Sequence, residues 1–190
     1  TNKDVADMWV HESFTTYSEN LFIDYFYGKE AASDYVVGMR RSIRNDRPII
    51  GTYGVDHEGS GDMNFKGANI LHTVRQILRG LNKEFYHQTV TTAQVENYIS
   101  EQSGIDLTQF WDQYLRTTMI PELEYTIDGN TLKFRYTAIV EGFDMPIQVH
   151  VNNTTEWIYP SAAWKTKSFD APITDFKVDR NFYIEAEEIK

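Results

Sequence analysis

The hydrophobic period of this chain changes at Pro121, and no other feature limits the fold as much. Before Pro121, apolar residues recur with the spacing of amphipathic helices; after it, they alternate. The two patterns are incompatible. Side chains repeat about every 3.6 residues around a helix and every second residue along a strand. We therefore expect an α+β chain. Residues 1–120 should be helix and loop, and residues 121–190 a small antiparallel β-sandwich.

Punctuation residues divide the first part further. A first helix is predicted from about Asp7 to Tyr27, with Asp4 or Asp7 as N-cap and Gly28 as the stop. A second is predicted from about Glu30 to Arg44, ending before Pro48. Residues 46–62 are rich in Gly and turn formers and read as a loop. A third helix starts near Met63 and carries Ile70, Leu71, Val74, Ile77 and Leu78. Thr92 is expected to cap a helix that runs to Ser103, and Asp106 or Thr108 to open a last one containing Phe110, Trp111, Tyr114 and Leu115.

In the second part, Leu123, Tyr125 and Ile127 alternate, Asp128-Gly129-Asn130 follows, and Leu132, Phe134 and Tyr136 alternate again. That is a hairpin signal. Ile147, Val149 and Val151 form a further strand before Asn152-Asn153, and Trp157–Tyr159, Phe176–Val178 and Phe182–Ile184 read as short strands. The large aromatics Trp157, Tyr159, Trp164 and Phe169 are expected to pack in the sandwich core rather than to line a groove.

Composition narrows the function classes. Acidic residues outnumber basic ones by 28 to 18, and the excess is spread over both parts. Such a surface repels phosphate backbones, so nucleic acid is a poor partner. Cysteine is absent, which removes thiolate nucleophiles, disulfides and Cys-ligated metals. No apolar run approaches the roughly 20 residues needed to span a bilayer.

On a helical wheel of the first helix, Phe14, Tyr17, Leu21 and Tyr25 fall within about 80°. Glu12, Thr16 and Glu19 fall within about 60° of each other on the opposite side. Spacing alone makes that acidic face a solvated one. The residues themselves carry more. The segment WVHESFTTYSENLF resembles the second zinc motif of the gluzincin aminopeptidases, the family of membrane alanyl aminopeptidase and the leukotriene hydrolase. Their pattern is W-x-[NH]-E-G-F-x-x-Y-x-E. Trp9, His11, Glu12, Phe14, Tyr17 and Glu19 match it, and Ser13 replaces the usual Gly. The preceding TNKDVADM resembles the run that joins the family's HExxH helix to this one.

The resemblance implies the helical half of a thermolysin-like metallopeptidase domain, then the β-domain seen in bacterial members. It implies that Glu12 is the third zinc ligand. Glu19, and beside it Thr16, then become candidate residues behind the metal shell. Glu19 lies about 10.5 Å along the axis from Glu12, too far to share a ligand shell but able to hold a zinc-bound His. A second block, GSGDMNFKGANILHTVRQ, resembles the helix with the family's catalytic tyrosine in the pattern Y-x-K-G. Aligning on Lys66-Gly67 puts Asn64 at the tyrosine position, and neighbouring Phe65 has no hydroxyl either. A third departure is the short connection between HTVRQILRG and LNKEFYHQ.

A zinc of this kind needs two His and one Glu. The five histidines, His11, His57, His72, His87 and His150, contain no HExxH pair, and the family's G-x-M-E-N motif is absent too. With Thr1 in first position, the start reads as the interior of a longer chain. The implied function is a fragment of a zinc-dependent metallo-aminopeptidase acting on peptide N-termini, inactive and without zinc on its own. Its partner would be the N-terminal part of the same protein. The rival is a non-catalytic peptidase-like interaction or substrate-docking module, which Asn64 favours. The family and the lack of Cys suggest a periplasmic or secreted location. His72 is expected to be a satisfied core or boundary histidine. Asp56, Glu58 and Asp62 form a weaker calcium alternative without EF-hand spacing.

Overall fold

A computed structural model describes residues 2–77 and 90–189 of the chain. It divides into two compact units, Thr1–Thr118 and Met119–Lys190. The first is helical. Asp4 accepts a hydrogen bond from the Ala6 amide and opens a 3-10 turn, Val5–Asp7, that runs directly into α1, Met8–Tyr27. Gly28, at φ 89°, stops α1 as expected. The second helix is shorter than its pattern suggests: α2 covers Lys29–Gly38 and tightens into a 3-10 turn at Met39–Ser42.

The third helix, α3, spans Phe65–Ile77 after a 3-10 turn at Gly61–Met63. Leu78, His87 and the connection to LNKEFYHQ lie outside the described residues. The fourth helix, α4, spans Thr92–Ser103, and its cap is Thr91, one residue earlier than predicted. Thr91 and Gln94 form a reciprocal capping box, so the Thr92 side chain is left for another contact. The last helix, α5, spans Thr108–Arg116, with Asp106 accepting from the Thr108 amide ahead of it.

The wheel of α1 misplaces its buried face. Phe14 and Tyr25 of the apolar stripe are 45% and 83% exposed, while Trp9, Ser13, Tyr17 and Asn20 are buried. Two polar residues, Ser13 and Asn20, sit on the inner face, and at Ser13 α3 comes very close. A Cβ added to Gly67 would lie 1.8 Å from Ser13 Oγ. Ser13 satisfies its hydroxyl by donating to the Met63 carbonyl at 2.6 Å. Around this contact Tyr17, Met39, Ala68 and Leu71 form a buried apolar cluster, with Leu21 against it.

The second unit holds two sheets. The hairpin of β1 (Glu122–Asp128) and β2 (Thr131–Thr137) is present as predicted, with Gly129 at φ 59° in the turn. It belongs to a four-stranded sheet ordered β5-β2-β1-β7, in which β5 is Lys165–Ser168 and β7 is Glu185–Glu188. The other sheet is ordered β4-β3-β6, from Thr154–Ile158, Ile147–Val151 and Phe176–Val178. Leu132, Phe134, Tyr136, Ile147, Val149 and Val151 bury the inner positions of β2 and β3.

Two strand expectations change. Phe182–Ile184 is a turn rather than a strand, with Phe182 buried, and the chain extends only from Glu185. There β7 runs parallel to β1, so the first sheet is mixed and not wholly antiparallel. The outer aromatics also divide. Trp157 packs edge-on to Phe182, whereas Tyr159 is exposed and Trp164 stacks under Lys133 and Arg135.

Candidate functional site

The site is built on α1. Its first turns carry His11, Glu12 and Thr16, and the next turn carries Glu19. Glu12 is half-buried, with Oε1 3.3 Å from Nδ1 of the neighbouring, exposed His11. Thr16 donates from Oγ1 to Oδ1 of Asn64 at 3.1 Å. Glu19 is exposed and accepts a 2.5 Å hydrogen bond from the Tyr35 hydroxyl on α2. That bond to a carboxylate, with some burial, holds the Tyr35 phenol above its ordinary pKa.

Of the four residues singled out from sequence, the structure joins Thr16 to Asn64 directly. It gives Glu12 and Glu19 separate neighbours, His11 and Tyr35. Tyr35 carried no signal in the sequence beyond its place in the second helix. Among the described residues, no group of three or more His, Asp or Glu side chains could hold a metal ion. The described residues do not complete a zinc site around Glu12.

The rest of the GSGDMNFKG block is structural. Lys66 is fully buried and donates from Nζ to the Thr117 carbonyl at 3.0 Å; burial lowers its pKa to about 8. Asp62 is buried and accepts from the amides of Arg44 and Asn45. Its carboxylate therefore anchors the loop, while Asp56 and Glu58 point into solvent, and no calcium cage forms from the three.

Two buried networks support α1 from behind. His72, 3% exposed, lies 3.1 Å by Nδ1 from the Tyr17 hydroxyl, which also accepts from Arg75 as Arg75 pairs with Asp24. Burial raises the Tyr17 pKa, against the pull of Arg75. At the other end, buried Asp7 accepts through Oδ1 from the Thr92 amide, the Thr92 hydroxyl and the Tyr53 hydroxyl. Trp9 Nε1 donates in turn to Thr92 Oγ1 at 2.7 Å. The start of α1 is thus tied to the start of α4.

This succession of a helical unit and a two-sheet unit is the fold found within an aminopeptidase. The likeness is to aminopeptidase A of Legionella pneumophila, solved in complex with aspartic acid, with a TM-score of 0.67 and 16% identity. It covers 98% of this chain and 25% of that one, so the chain spans about a quarter of the length of its neighbour. No family model and no curated protein matches the sequence.

Proposed function

We propose that the chain is part of a zinc-dependent metallo-aminopeptidase of the gluzincin type, acting on the N-terminal residues of peptides. In this reading residues 1–120 are the helical C-terminal part of the catalytic domain and 121–190 a β-sandwich domain. The observation that supports it most is the meeting of two motif blocks far apart in sequence. Ser13 reaches Met63 and Thr16 reaches Asn64, across 50 and 48 residues. The blocks that resemble the zinc-ligand helix and the tyrosine helix thus share one corner of the helical unit.

Glu12 would be the one metal donor supplied by these residues, with the two histidines and general base on a separate HExxH segment. A bound zinc in such enzymes polarises the scissile carbonyl and activates water. This chain's own contribution is to hold the Glu12 carboxylate on α1, to keep Asn64 beside Thr16, and to leave Glu19 as an acceptor held by Tyr35. A second reading, a non-catalytic peptide-docking module, is favoured by Asn64. At that position the chain has neither a phenol nor any other acid.

Hydrolysis of aminoacyl anilides separates the two. The isolated chain should show none. A full-length, zinc-loaded protein in which this chain follows an HExxH segment should turn over slowly, since a carboxamide shorter than the family's phenol weakens the oxyanion contact, whose full loss costs roughly 100- to 1000-fold. Full-length Asn64→Tyr should gain at least about tenfold, set conservatively below that range. No turnover in either full-length protein would leave the docking module as the function.

A further inference from the structure

We infer that Thr16 is a positioning residue for Asn64: its hydroxyl holds the carboxamide by the oxygen, leaving the Nδ2 hydrogens as the donor offered to a substrate carbonyl. This rests on the aminopeptidase reading, and it gives a role to a contact that no sequence motif contains. The contact is not an ordinary helix cap. Asn64 directly precedes α3, and its backbone carbonyl accepts from the Ala68 amide. An Asn at a helix start usually turns its side-chain oxygen onto an amide of the first turn, from an extended backbone. Asn64 is helical, at φ −73° and ψ −69°, and its oxygen reaches Thr16 of α1 instead.

The chemistry of the pair sets the direction. A threonine hydroxyl has one proton, and here it goes to Asn64 Oδ1. The two hydrogens of Nδ2 then make no hydrogen bond to a described residue, and Asn64 is only half-buried. Thr16 stands one turn after Glu12 on α1, about 5–6 Å away between Cβ atoms. Thr16 thus ties the carboxamide to the face of α1 that carries Glu12, and the amide lies at the amino end of α3, where the helix dipole favours developing negative charge. A carboxamide can donate there but cannot ionise, so its contribution depends on where its Nδ2 hydrogens point. The hydroxyl of Thr16 sets that direction.

Two measurements test this. The first needs no catalysis. In the 15N-labelled 190-residue chain, relaxation of the Asn64 side-chain amide should report an ordered group. Thr16→Val should release it, with the order parameter falling below about 0.6, and Thr16→Ser should keep it ordered. An amide equally ordered in Thr16→Val overturns the inference. The second is a double-mutant cycle on anilide hydrolysis in the full-length, zinc-loaded protein. Thr16→Val should lower kcat about tenfold with KM nearly unchanged, and Thr16→Ser should restore it. In an Asn64→Tyr background, Thr16→Val should cost clearly less than in the parent, because the carboxamide oxygen that the threonine holds is gone. Equal loss in both backgrounds would show a merely structural tie and overturn the inference. If no full-length variant turns over, the aminopeptidase reading fails and the donor role falls with it, even where the amide is ordered.

Discussion

Ser13 and Gly67 set the distance between α1 and α3. The Gly67 position has no room for a methyl group: a Cβ would lie 1.8 Å from Ser13 Oγ and 2.7 Å from its Cβ. Overpacking of this kind costs about 1–3 kcal/mol. Gly67→Ala should lower the urea midpoint accordingly, and adding Ser13→Gly should recover part of the loss. Equal penalties in both backgrounds would mean that another neighbour sets the limit. Lys66, the next residue, makes a pH-dependent prediction. Its folded pKa of about 8 lies below the ordinary lysine value because burial disfavours the charge. Between about pH 8 and 10 the unfolded chain holds more protons at this site, so stability should rise with pH across that window. Below pH 8 both states are protonated and the burial penalty is fully present. Urea unfolding at pH 7.5 and 9.5 should show the rise in the parent and a smaller one in Lys66→Met; equal slopes would remove Lys66 as its cause.

At the scale of elements, helix ends account for much of what the sequence made legible. Gly28 and Gly104 stop their helices, and the Asp128–Asn130 turn makes its hairpin. What was not legible depended on partners. The inner face of α1 includes Ser13 and Asn20, and at Ser13 the close approach of Gly67 rewards small size more than hydrophobicity. Thr92 looked like a cap by type, but Thr91 takes that place and Thr92 serves a tertiary network. For the candidate site, the motif resemblance pointed to Glu12, Thr16, Glu19 and Asn64, yet only the fold could reveal the Thr16–Asn64 bond and the Tyr35 partner of Glu19. The Thr92 network gives this scale its prediction. Thr92→Val keeps the shape and removes the acceptor of buried Trp9 Nε1 and one donor to buried Asp7. Leaving such groups unpaired costs about 1–3 kcal/mol. Thermal unfolding should show that loss, and a change within experimental error would mean that the network contributes nothing net.

At the scale of the whole molecule, the proposed reading puts one ligand of a zinc centre on the helical unit. The helical unit contributes a carboxylate, a threonine–asparagine pair and a supporting acid, each on or against α1. The β unit ties its own loops together: Asn152 accepts from the Thr174 amide and hydroxyl and donates to the Pro172 carbonyl. Catalytic zinc sites need three protein ligands with an open fourth position. Among the described residues Glu12 is the one donor that the motif supplies, and no group of three or more metal-binding side chains surrounds it. A single partly exposed carboxylate beside a neutral or protonated histidine holds zinc too weakly to survive dialysis. The 190-residue chain should therefore carry far less than one zinc after dialysis at neutral pH, measured by elemental analysis. Glu12→Gln should not change that low value. Stoichiometric zinc that disappears in His11→Ala or His57→Ala would instead identify a complete site made by this chain, and would overturn the division of ligands between it and a separate HExxH segment.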